Sequence, residues 1–142
     1  FSEVASPLAR VAQRSRSGPH VSDLGWIIDP AGLETEIAAM SDRYGKPMLI
    51  TENGIADRTD VKRQRYLIEH LKAVERSIAK GYDVWGYFHW TLVDNFEWAE
   101  GYTAKFGLYS LDIQTKELRP KPSAELYRKY IAEHRTAVAL GS

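Results

Sequence analysis

The chain has 142 residues, 44% of them hydrophobic, enough for one packed core and too apolar for a disordered tail. Lysine plus arginine and aspartate plus glutamate both number 19, so no net field exists to hold a nucleic-acid backbone or an anionic membrane surface. There is no cysteine, and the four histidines (His20, His70, His89, His134) are too scattered for a zinc pair, so no disulfide, metal or cofactor is expected. No apolar run has the length to cross a bilayer and no signal segment opens the chain, which sets the expectation of a soluble, cytoplasmic protein. A start at Phe1 rather than methionine adds the expectation that a natural N-terminus is missing.

Residues 1–28 read as loop. Pro7, Gly18, Pro19 and several serines and arginines interrupt a weak apolar pattern at Val4, Leu8 and Val11, leaving room for one short helical turn. Residues 29–54 read as a helix and then a strand. Asp29 can cap free amides and Pro30 suits the first helical position; Leu33, Ile37, Met40 and Tyr44 then share a face, and Gly45 with Pro47 stops the helix. Met48-Leu49-Ile50-Thr51-Glu52-Asn53-Gly54 runs three apolar residues into a carboxylate and a turn. That is the pattern of a short buried strand delivering Glu52 to its C-terminal edge.

Residues 59–90 read as a second helix and strand. Thr59 or Asp60 can cap the helix; Leu67, Leu71, Val74 and Ile78 form its buried stripe, with Arg63, Lys72, Glu75 and Arg76 toward water. Gly81 ends it, and Val84 to Trp90 is rich in aromatic and β-branched residues. Residues 91–120 read as a long aromatic, acidic loop followed by a small hairpin around Gln114-Thr115-Lys116. Residues 122–134 read as a closing helix with Leu126, Tyr127, Tyr130 and Ile131 inward and a fraying tail behind it. Alternating helices and strands are the unit of a parallel α/β sheet or barrel, whose chemistry sits at the strands' C-terminal ends. Glu52 is therefore the first candidate for a reacting group.

Two motifs sharpen this. Ile50-Thr51-Glu52-Asn53-Gly54 resembles the nucleophile motif of glycoside hydrolase family 1, the retaining β-glycosidases. Gly86-Tyr87-Phe88-His89-Trp90-Thr91-Leu92-Val93-Asp94-Asn95-Phe96-Glu97-Trp98-Ala99-Glu100-Gly101-Tyr102 resembles that family's last barrel strand and sugar-binding loop, and Lys105-Phe106-Gly107-Leu108 the segment after it. The likeness runs from about Asp23 to Tyr130. It implies the C-terminal part of a (βα)8 TIM barrel, with the last two strands and three helices, and a β-glycoside substrate of the glucoside or galactoside kind.

The resemblance gives roles to five residues. Glu52 becomes the nucleophile, one of two carboxyl groups that retaining enzymes hold about 5 Å apart. Trp90 becomes the platform for a sugar ring, Glu97 and Trp98 the pair that binds sugar hydroxyls, and Phe106 either a pocket wall or the anchor of the loop's return. Read without the family, Glu52 is more often an ordinary rim glutamate, while a core tryptophan stays the lesser alternative for Trp90 and an exposed charge an even one for Glu97. Asp94 and Asn95 read as turn-stabilising residues, and His89 as packed within its strand. Keeping Glu97 disfavours a phosphorylated sugar by repulsion.

A (βα)8 barrel takes about 250 residues, and this chain has no Asn-Glu-Pro motif to supply the family's acid/base glutamate. Two parallel strands would have unpaired edges and uncovered apolar faces. Three readings stay open: a β-glycosidase piece that works with a complementary N-terminal chain, a sugar-binding remnant without turnover, and a module whose open edges recruit another chain or a second copy.

Overall fold

Asp29 and Pro30 do start the first helix. The Asp29 side chain accepts a hydrogen bond from Gly32 N at 3.1 Å, and α1 (Pro30–Tyr44) ends where Gly45 turns to φ 56° and its N–H donates to Ser41 O. The computed structural model describes residues 18–139; the helical turn expected near Val4 to Val11 lies outside them. After α1 come β1 (Met48–Asn53), α2 (Val61–Ala79), β2 (Val84–His89), a 3-10 turn (Trp98–Glu100), the strands β3 (Tyr109–Leu111) and β4 (Leu118–Pro120), and α3 (Pro122–Ala139). β1 and β2 pair in parallel across α2, a βαβ unit, while β3 and β4 form the expected antiparallel hairpin. The closing helix runs beyond His134 to Ala139. None of the described helices is long and apolar enough to cross a membrane.

The β1–β2 register is irregular in a way that bears on the site. Three steps along β1, from Ile50 to Asn53, match two along β2, from Tyr87 to His89. The extra residue falls at Thr51-Glu52, and a bulge of this kind re-aims a side chain at the strand end.

Several expectations need correction. The β1 segment, expected to be buried, is open on one side, and the uncovered apolar faces expected of two lone parallel strands are there: Leu49, Trp85 and Phe88 are 55%, 71% and 58% exposed. Helices cover one side only, where the Tyr87 ring meets Tyr127 of α3 edge-on at 6.4 Å. Leu67, Leu71 and Val74 do form the buried stripe of α2, but Ile78 lies half exposed at its end, as do Met40 and Tyr44 on α1 and Ile131 on α3. Asp60 occupies the N-cap position of α2 yet makes no capping bond, having turned to φ 63°. Arg63, expected in water, is fully buried, because its charge is matched inside by Asp60 and by backbone carbonyls. Two small cores result: Ile28 with Ile55 and Tyr66, and Ala56 with Ala104 and Phe106, against which Leu24 and Trp90 pack.

Candidate active site

The C-terminal end of β1 is welded to the end of β2. Trp90 N donates to Asn53 O at 3.1 Å, and Tyr87 Oη donates to Asn53 Oδ1 at 2.8 Å. Only a glycine fits next: a Cβ on Gly54 would stand 1.8 Å from the Trp90 carbonyl oxygen. This contact brings Glu52 and Trp90, 38 residues apart in the numbering, to one edge. Around them lies a cleft of about 480 Å3 lined by Trp26, Glu52, Asn53, Gly54, Tyr66, Trp90, Glu97, Trp98 and Phe106. All five residues singled out from the sequence meet there. Glu52 is exposed in it and makes no hydrogen bond or ion pair among the described residues. A carboxylate left so is available to a ligand.

Phe106 does both things the sequence left open. It is 1% exposed within the Ala56–Ala104 cluster, and one part of it lines the cleft. Its carbonyl accepts from Thr91 N at 3.3 Å, so the loop's return is stitched to the residue after Trp90. Asp94 is structural: buried to 4%, its Oδ1 accepts from Gly107 N at 2.8 Å and from Lys121 Nζ at 2.9 Å. Burial lowers the Lys121 pKa while the bond to Asp94 holds it up, which keeps a buried charge paired with its opposite.

Glu97 opens a short 3-10 turn, held by its own N–H on Gly101 O at 2.7 Å. Its Oε2 is buried with no hydrogen-bond partner among the described residues. Trp98 beside it is 84% exposed at φ 45°, a conformation costly for a side chain of that size. His89 sits beneath: burial, then the nearby Arg63 charge, lower its pKa to about 4, so it is neutral at neutral pH and acts as packing. Burial likewise pushes the Tyr66 and Tyr87 phenols up, leaving both protonated and able to donate.

Sequence reasoning missed Trp26 and Tyr66. Trp26 reaches the cleft because the 20–28 loop docks on the segment just past Gly54: Asp23 N donates to Ala56 O at 2.9 Å, and Arg58 N donates to Asp23 Oδ2 at 2.7 Å. Its ring lies 5.8 Å from that of Phe106 at 47°. The available signal was a tryptophan a few residues ahead of the Asp29-Pro30 helix start. Tyr66 enters from α2 one position ahead of Leu67, where the helical stripe alone marks it as core. Together these residues offer flat apolar walls, one free carboxylate at a strand end, and one buried carboxylate oxygen lacking a donor among the described residues. Such a set accommodates a hydroxylated ring with an electrophilic carbon.

Comparison with known proteins identifies the family of the chain. The chain is 43% identical over 121 residues to the β-galactosidase of Pyrococcus woesei, covering 84% of this chain and 24% of that protein. It is 46% identical over 115 residues to the β-galactosidase of Saccharolobus solfataricus, covering 81% and 24%. The crystal structure of the hyperthermophilic β-glucosidase from Pyrococcus furiosus superposes with a TM-score of 0.78 at 45% identity, over 80% of this chain and 24% of that one. The chain thus spans about a quarter of the length of the relatives it matches, in keeping with part of a (βα)8 barrel. The family model for glycosyl hydrolase family 1 matches residues 4–136, and the chain belongs to that family.

Proposed function

We propose that this chain forms the nucleophile-bearing C-terminal part of a β-glycosidase that hydrolyses terminal, non-reducing β-D-glycosides of unphosphorylated glucose or galactose type. Turnover requires a complementary N-terminal barrel segment carrying the acid/base carboxyl group. The observation that carries the reading is the meeting of Glu52 with Trp90, Glu97, Trp98 and Phe106 in one cleft.

In this mechanism the sugar ring packs on Trp90 against the wall made by Phe106 and Trp26. The Glu97 carboxylate accepts from sugar hydroxyls and the Trp98 indole N–H donates to another. Glu52 attacks the anomeric carbon as the C1–O bond to the leaving group breaks, and the acid on the other segment protonates the departing oxygen. Water, deprotonated by that same group, then releases the sugar from Glu52 with overall retention.

The test is to combine the chain with the part of a homologous β-glycosidase that lies N-terminal to the matched region, and to assay an aryl β-glucoside. Hydrolysis with a β-configured first product by proton NMR, abolished by Glu52→Gln while sugar binding survives, is the expected outcome. An inverted first product overturns the nucleophile assignment. Binding without turnover in every combination would make the chain a sugar-binding remnant instead, and self-association with neither would make it an assembly module.

A further inference from the structure

The glycosidase reading leaves one buried charge unused. Arg63, on the first turn of α2, is fully buried, and its Nε has no partner among the described residues. A buried guanidinium with an unsatisfied donor is a poor device for stability, since hydrophobic replacements are often as good. Its contacts point elsewhere. Arg63 N donates to Asp57 Oδ2 at 2.9 Å, Nη2 donates to Asp57 O at 2.6 Å, and the same Nη2 reaches Lys105 O. Nη1 pairs with Asp60, whose two oxygens also accept from Ser123 N at 2.8 Å and Ser123 Oγ at 2.6 Å.

These contacts join two stretches that flank the cleft. Asp57 lies on the segment leaving Glu52-Asn53-Gly54, directly after Ala56. Lys105 lies on the segment returning from the Glu97-Trp98 loop, directly before Phe106. Lys105 O also accepts from Asp57 N at 2.9 Å, so the guanidinium reinforces the one backbone bond between the two stretches. Asp60 gives up its capping role and takes a left-handed φ of 63° to face this network. Both carboxylate oxygens are engaged there, Oδ1 by Arg63 and Ser123 Oγ and Oδ2 by Ser123 N, and these bonds hold the strained backbone in place.

We propose that Arg63 is a positioning residue: one guanidinium sets the separation between the nucleophile strand and the sugar-binding loop, and thereby the width of the cleft between Glu52 and the Trp90–Phe106 wall. This rests on the glycosidase reading for its consequence in rate, though not for its consequence in ligand binding. Arg63 is not among the residues that line the cleft. A fixed planar fork reaches two carbonyls and a carboxylate at once, which a lysine ammonium cannot do.

The experiment compares the parent, Arg63→Ala and Arg63→Lys, with and without millimolar guanidinium chloride against sodium chloride of equal strength. In the chain alone, tryptophan fluorescence follows binding of deoxynojirimycin, a glucose-configured cationic analogue. In the chain combined with its N-terminal complement, kcat is measured per active site titrated with a slow fluoroglycoside. Arg63→Ala is expected to weaken analogue binding roughly tenfold and to lower kcat per titrated site roughly tenfold to a hundredfold, as misplacement of reacting groups does. Guanidinium should restore both and sodium chloride neither, with Arg63→Lys failing like alanine. Loss of active sites at unchanged kcat and unchanged analogue affinity would make Arg63 merely structural and overturn the proposal, as would equal recovery in sodium chloride. Should Arg63→Ala not fold, Ser123→Ala loosens the same network more gently, and an affinity for the analogue equal to the parent's overturns the proposal. A parent that binds the analogue and never turns over would count against the glycosidase reading alone.

Discussion

Replacing Gly54 by alanine tests how tightly the two strand ends are joined. A methyl group there would lie 1.8 Å from Trp90 O and 2.8 Å from Trp90 C. An ordinary carbon–oxygen contact is about 3.3 Å, so the Trp90 peptide must retreat by about 1.5 Å, and it is backbone that has to move, with no flexible side chain to give way. That retreat breaks the 3.1 Å bond from Trp90 N to Asn53 O. Overpacking and the lost bond together cost about 2–4 kcal/mol. For a chain of this length, at about 4 °C per kcal/mol, the midpoint of a thermal melt followed by near-ultraviolet circular dichroism falls by about 8–16 °C. Gly45→Ala is the control. Gly45 also has positive φ, 56°, but its Cβ would meet nothing within 4 Å, so only conformational strain of about 1 kcal/mol applies. The two variants should therefore separate clearly, and sugar binding should fail in Gly54→Ala alone. Equal melts for the two would refute the argument from close approach.

Other expectations follow from the same contacts. His89 has a folded pKa lowered to about 4 from an ordinary value near 6.5, so the unfolded chain takes up its proton first. Stability is full above about pH 6.5 and drains by up to about 3 kcal/mol as pH falls toward 4; His89→Phe should flatten that part of the acid limb in urea melts, and an unchanged limb would count against burial of the ring. Lys121→Met leaves the Asp94 carboxylate buried without its counter-charge and should destabilise by about 3–5 kcal/mol, while adding Asp94→Asn should recover much of the loss. No recovery in the double variant would show that the pair is not coupled. Glu97→Ala removes a buried acceptor without a partner among the described residues and should weaken binding of glucose-configured ligands by about 1.5–3 kcal/mol in calorimetric titration, with little change in melting temperature.

Much of this was legible locally. Asp29-Pro30 and Gly45 mark the ends of α1 because capping bonds and backbone conformation depend on residues three or four apart. The apolar spacing of Leu67, Leu71 and Val74 located the inner face of α2 because a helix repeats every 3.6 residues whatever surrounds it. The turn at Gly54 behind Glu52, and the tryptophan-rich run behind Trp90, named the candidate residues by type and order. Other features depended on partners far along the chain. Arg63 looks like a surface residue by its charge although it lies four residues before Leu67 on the same stripe, and its guanidinium is accommodated inside because Lys105 O, 42 residues away, accepts a hydrogen bond from it. Trp26 looks like a residue of a connecting loop, and it lines the cleft because Asp23 docks on Ala56 and Arg58. Leu49 read as part of a buried strand because its apolar run fits an environment covered on both faces, whereas this chain folds helices over one; the exposure of Trp85 and Phe88 follows the uncovered faces expected of two strands without further neighbours. Sequence alone determined the elements and the chemical inventory, since both arise from neighbours within a turn or two. Tertiary structure decided which side chains share the cleft and which charges are buried, because burial is set by whatever packs across the gap.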